Sequence, residues 1–233
     1  MKGNDFLKQL TILVDMDDTL EDLCTPWVQY LNEKYGTVVT TDDIKDWHIA
    51  KVFPTLTREQ VFEPLATEKF WERVKPLPKA YENICKLKYD GHRIFIVTAS
   101  DPIISIPMKL EKVLFRYFPF FSCNDVIITT QKQMIRGDVL VDDASHNLEN
   151  GNYKRILVDA PHNRFLTKKA SERREPVIGI LCIGSLANTR VKSTKILCYY
   201  VVVLNTSCSA TLPRYCKLPE PPLYRNLLLY MYI

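Results

Sequence analysis

Short apolar, β-branched runs recur along the first two thirds of the chain, at Leu10 to Val14, Ile94 to Val97, Val126 to Ile128, Val139 to Val141 and Ile156 to Val158. Each leads into polar or helix-starting residues, and together they predict five strands of a parallel sheet. Between them the period changes. Lys79 to Lys88 places Ala80, Ile84 and Leu87 on one helical face, and Ile106 to Tyr117 places Leu110, Val113, Leu114 and Tyr117 on another. Strand alternating with helix predicts an α/β fold.

One stretch interrupts that alternation. Leu20 to Pro76 carries Trp27, Tyr30, Tyr35, Trp47, Phe53, Phe62, Phe70 and Trp71 in helical and loop patterns without a convincing strand. It predicts a small helical cap over 20–76, inserted after the first strand. Pro76 and Pro78 mark the return to a core formed by 1–19 and 77–169, because neither can continue a helix and each restrains the residue before it. Residues 170–233 differ again: they hold four of the seven Cys, repeated Tyr and Leu, and no period of 2 or 3.6. The expectation there is an atypical tail, disordered or foreign to the fold, such as an out-of-frame ending.

Charge sharpens the division. The formal +4 lies in the tail, where residues 171–233 hold 8 Lys and Arg against 3 acids, leaving 23 against 24 before them. A body without a clustered basic face lacks the footprint of a nucleic-acid polymer binder, while small anionic substrates remain open. Cys24, Cys85 and Cys123 form neither a C-x-x-C pair nor a zinc-like spacing with His, and read as thiols in a reducing compartment. Met1 to Leu10 is not a secretory signal, and the run Ile196 to Leu204 is too short to span a bilayer. A cytoplasmic protein with no membrane partner is expected.

The chemistry sits at the strand ends. The first strand closes in Asp15-Met16-Asp17-Asp18-Thr19, delivering two carboxylates to the edge where α/β proteins build sites. Two apart in extended chain, Asp15 and Asp17 can face one ligand; the bland alternative is a solvated acidic turn. A second strand ends in Thr98-Ala99-Ser100, whose hydroxyls and N–H groups suit a phosphate. Lys132, by default a surface lysine, precedes Asp142 and Asp143 by ten residues; adjacent aspartates after an apolar run project differently, so one can face a metal while the other orients Lys132 or the loop. His48, His92, His146 and His162 are scattered singly and are assigned nothing.

In this order, DMDDT, VTAS, Lys132 and LVDD resemble the four motifs of the haloacid-dehalogenase superfamily. The insertion after the first motif, the Phe-Trp before Pro-Leu-Pro and the Lys-to-Asp-Asp spacing are similar to the 5'(3')-deoxyribonucleotidases, over roughly residues 8–165.

That resemblance implies a Rossmann-like core and a phosphomonoester hydrolase acting on deoxyribonucleoside monophosphates. Asp15 would attack phosphorus to give a phosphoaspartyl intermediate, an aspartate being ordinarily ionised at neutral pH. Asp17, its pKa raised by neighbouring anions, would protonate the leaving oxygen and then activate water. Mg2+ would be held by the side chains of Asp15 and Asp142 and the carbonyl of Asp17, with Asp143 behind them. Lys132 would organise the charges, and Thr98, Ala99 and Ser100 would hold the phosphoryl group. Phe70, Trp71 and Trp47 are the aromatics assigned to the base, the alternative being plain cap packing. A homodimer is left open. Competing readings are a phosphatase for another small phosphomonoester such as a sugar phosphate, and an inactive phosphate- or partner-binding protein.

Overall fold

The computed structural model describes residues 9–164 apart from position 102. The tail expectation for 170–233 lies outside the described residues.

Five strands form one sheet: β1 (Thr11–Val14), β4 (Arg93–Thr98), β5 (Val126–Ile128), β6 (Val139–Asp142) and β7 (Lys154–Leu157), after the short β2 (Glu21–Asp22) and β3 (Lys75–Pro76). The order is β5-β4-β1-β6-β7, every pairing parallel, as the apolar runs predict. Central β1 is buried on both faces: Ile12 and Val14 join the larger apolar cluster, while Leu13 joins a smaller one with Val97, Leu140 and Leu157. Pairing of Val14 with Ile96 on one side and Val141 on the other places the ends of β1, β4 and β6 side by side.

Helix α1 (Cys24–Tyr35) buries Trp27, Val28 and Leu31 and stops at Gly36, whose φ of 66° lets its N–H close on Asn32. With α2 (Arg58–Phe62), α3 (Glu68–Trp71) and 3-10 turns it forms the inserted region. Its centre is aromatic: Phe70 meets Trp27, Tyr30 and Trp71 edge-on at 5.3 to 6.4 Å, and Trp27 Nε1 donates to the Val61 carbonyl at 2.7 Å. Truncating such a ring costs about 3–5 kcal/mol. The strand-free reading of this stretch is corrected at its base, where β2 and β3 pair antiparallel, Glu21 opposite Pro76 and Asp22 opposite Lys75. Two-residue strands have no detectable period, and their pairing depends on chain ends far apart in sequence.

Helix α4 (Ala80–Tyr89) buries Ala80, Ile84 and Leu87 as its spacing predicts. The helix after β4 differs. It begins as α5 (Ser105–Lys109), widens through a π turn (Leu110–Leu114) in which Phe115 N–H donates to the Leu110 carbonyl, and ends as α6 (Phe115–Tyr117). The buried residues are Ile106, Lys109, Val113, Leu114 and Phe118, with Leu110 and Tyr117 only partly buried. Among the described residues no helix is long and apolar enough to cross a membrane.

Candidate active site

Because β1 lies between β4 and β6, the sheet brings Asp15, Thr98 and Asp142 to one edge. All three are buried, at 4%, 0% and 0% exposure, and the Asp15 N–H continues the ladder to the Val141 carbonyl at 2.9 Å. Beyond Asp17 the chain turns sharply. The Thr19 and Leu20 N–H groups both donate to Met16, and Asp18 takes φ 50°, a conformation aspartate tolerates better than most residues. Asp18 Oδ1 then accepts the N–H groups of Leu23 and Cys24, both at 3.0 Å, anchoring the start of α1. Burial pushes the Asp18 carboxyl up to about 6 and the Cys24 thiol well above its ordinary range.

Lys132 is not the surface residue it reads as by default. It sits on a 3-10 turn after β5, 2% exposed, and donates to Asp15 Oδ1 and Asp142 Oδ2, each at 2.6 Å. Burial alone would lower its pKa; Asp15 and Asp142 outweigh that and hold it above the usual lysine value. Asp142 Oδ1 is fixed in turn by the Ala144 N–H at 2.9 Å and Asn147 Nδ2 at 3.0 Å.

A second lysine fills the other side of the site. Lys109, 0% exposed, donates to Asp17 Oδ2 at 2.6 Å and Thr98 Oγ1 at 2.7 Å. Desolvation works against its charge, but Asp17, Glu21 and Asp15 hold its pKa above normal. Glu21 is fully buried beside it, pushed well up by burial and by Asp17.

Oxygens from Asp15, Asp142 and Asp143 lie within 4.8 Å of one another. Burial raises Asp15 to about 7 and Asp143 well above the carboxylate range, in both cases with help from neighbouring acids. For Asp15, desolvation outweighs the Lys132 ammonium. Asp17 Oδ1 is buried without a hydrogen-bond partner, and Asp143 Oδ2 makes no hydrogen bond but has His162 Nε2 3.3 Å away. Three buried carboxylates around one ammonium are short of positive charge, and an all-oxygen donor set of this kind suits a hard divalent cation.

The aromatics separate. Phe70 and Trp71 are 0% and 1% exposed and fill the interior of the inserted region, with Trp71 Nε1 donating to the Leu65 carbonyl at 3.0 Å, so neither offers a face to a ligand. Trp47 is 45% exposed and stands edge-on to His146 and His162, centroids at 5.0 and 5.1 Å, in a cavity of about 630 Å³ also lined by His48, Lys51 and Asn163. Ala99 and Ser100 follow Thr98 half-buried at the same edge.

Lys109, Glu21, Asn147, His162 and Asn163 were not foreseen from sequence. Only Lys109 left a trace: it lies three residues after Ile106 and four before Val113, a lysine on an apolar stripe.

A family model described as 5' nucleotidase, deoxy (pyrimidine), cytosolic type C protein matches residues 8–177. The 5'(3')-deoxyribonucleotidase of Bacillus subtilis strain 168 is 34% identical over 154 residues, 66% of this chain and 87% of that protein. Its counterpart in Clostridium acetobutylicum is 29% identical over 154 residues, 66% of this chain and 84% of that one. A haloacid dehalogenase-like hydrolase of Burkholderia xenovorans LB400, 18% identical, shares the fold with a TM-score of 0.51 over 78% of this chain and 96% of its own. From the family match and these relatives together, the chain belongs to the deoxy, cytosolic type C 5'-nucleotidase family, on a fold shared with haloacid dehalogenase-like proteins.

Proposed function

We propose that this protein is a Mg2+-dependent 5'(3')-deoxyribonucleotidase in which the core, 1–19 and 77–169, performs the chemistry and the cap, 20–76, covers the substrate. The observation that carries the reading is Lys132 bridging Asp15 and Asp142 at 2.6 Å inside a buried group of acids. Buried acids gathered at this density are costly to a fold, and a site where anionic phosphate must be met by fixed charge accounts for them.

Mg2+ held by Asp15, Asp142 and the Asp17 carbonyl would supply positive charge to a phosphate oxygen and lower the proton affinity of Asp15. Asp143 lies close enough to orient these ligands or to join them. Asp15, one oxygen held by Lys132, uses the other to attack phosphorus; the O–P bond forms as the ester P–O bond breaks. Asp17 gives a proton to the departing sugar oxygen. Its Oδ2 is held by Lys109, which leaves Oδ1 to face the departing oxygen. Asp17 then takes a proton from the water that cleaves the phosphoaspartate, returning Asp15 and releasing phosphate. Thr98, Lys109, Ala99 and Ser100 form the cradle for the phosphoryl oxygens. Of the three aromatics, Trp47 is the one whose exposure suits stacking on a base.

The test is phosphate release from dUMP with and without Mg2+, for the native chain and Asp15→Asn. Mg2+-dependent release that Asp15→Asn abolishes is the expected result. A folded protein that releases no phosphate from dUMP or other phosphomonoesters sinks the reading, and a preference for sugar phosphates replaces its substrate.

A further inference from the structure

Behind the acids lies an amide that the chemistry above does not use. Asn163 is 1% exposed. Its Nδ2 donates to the carbonyls of Asp143 at 2.8 Å and Val158 at 2.6 Å, and its Oδ1 accepts the Ala160 N–H at 3.1 Å. Both amide donors and the carbonyl are therefore occupied, each by backbone. His162 Nε2 lies between the Asp143 backbone carbonyl, at 3.2 Å, and the Asp143 carboxylate oxygen Oδ2, at 3.3 Å.

That carbonyl shares a peptide group with the Ala144 N–H. Because the peptide is planar and trans, its C=O and N–H point in opposite directions, and fixing one aims the other. The Ala144 N–H is aimed at Asp142 Oδ1, 2.9 Å away, and Asp142 through Oδ2 holds Lys132, which holds Asp15. One continuous run of contacts thus joins Asn163 to the nucleophile without touching substrate.

We propose that Asn163 is a positioning residue for the catalytic centre: by gripping the Asp143 carbonyl it turns the Ala144 N–H onto Asp142 and sets the carboxylate on which Lys132 and Asp15 are arranged. This rests on the reading that Asp142 and Lys132 serve the reaction. Orienting partners of this sort typically change metal affinity or rate by about 10- to 100-fold when removed.

The test uses the full-length chain and two readouts: the Mg2+ concentration giving half of the Mg2+-induced rise in thermal midpoint without substrate, and kcat and KM for dUMP at saturating Mg2+. Asn163→Ala is expected to need about tenfold more Mg2+ and to lose about tenfold in kcat with KM little changed. Ile84→Ala, a buried truncation on α4, serves as a matched lesion that lowers the midpoint and leaves both readouts alone. If Asn163→Ala loses stability but keeps the native Mg2+ requirement and kcat, the proposal is overturned. Should that variant not fold, Asn163→Leu, which keeps the side-chain volume and lacks both donors, is judged by the same two readouts. Asp142→Asn separates the failures: full turnover in that variant overturns the site reading and this proposal together, whereas its inactivity beside a native-like Asn163→Ala overturns this proposal alone.

Discussion

Two buried lysines face each other across the candidate site, and they are built differently. Lys132 stands on a short turn after β5 between two carboxylates, Asp15 and Asp142. Lys109 rises from a helix and meets one carboxylate, Asp17, and one hydroxyl, Thr98. Both ammonium groups keep raised pKa values despite burial, because the acids around them repay the lost hydration. The division of labour follows from the partners. In the proposed mechanism Lys132 would tie the nucleophile to the metal-side acid, while Lys109 would tie the proton carrier to the phosphate cradle. Each lysine joins one carboxylate of β1's exit to a neighbouring strand end, so the sheet order itself decides what each can serve.

The largest effect should come from Lys132→Met. Removing one member of a buried ionic group costs about 3–5 kcal/mol of stability, and loss of a fixed positive charge at the reaction centre should lower kcat for dUMP by about 10²- to 10³-fold. A drop under threefold would break the comparison at its stronger side. Lys109→Met should cost about 10²-fold on dUMP and distinctly less on p-nitrophenyl phosphate, whose leaving group needs no proton. Equal losses on both substrates would place Lys109 with phosphate binding rather than with Asp17. Trp47→Ala touches neither lysine and should raise KM for dUMP about tenfold with kcat nearly constant, since stacking on a base contributes about 1–3 kcal/mol; a purely kcat defect would contradict a binding role.

The smallest effect is on stability. Asp15 is raised from 3.8 to about 7, so the folded state holds its proton more tightly than the unfolded chain does. Its favourable contribution is complete below the unfolded value and is lost as pH rises through about 7. Asp15→Asn, lacking that titration, should show a flatter fall in thermal midpoint between about pH 4 and 7 than the native protein. Parallel curves would mean that Lys132 compensates Asp15 fully.

The sequence made one lysine legible and hid the other. Lys132 is found by its place between strand ends and by the two aspartates after it, and the five strands that position it are each visible as apolar runs. Lys109 is hidden because an apolar pattern does not count a lysine, although it shares the helical face of Ile106 and Val113; beyond it the π turn seats Phe118 in the core in place of Tyr117. Burial also rearranged the aromatics. Composition shows a ring-rich cap but not that Phe70 and Trp71 point inward while Trp47 points out. Glu21, His162 and Asn163 owe their places to chain segments brought together only by the fold, so no local spacing marks them.

The widened turn at Leu110–Leu114 has a mechanical consequence. In an uninterrupted helix, the direction of Lys109 and the seating of Phe118 would be locked to one another, and any change improving one would disturb the other. A single looser turn between them acts as a clutch. The half that carries the lysine and the half that seats Phe118 are therefore set about the helix axis independently.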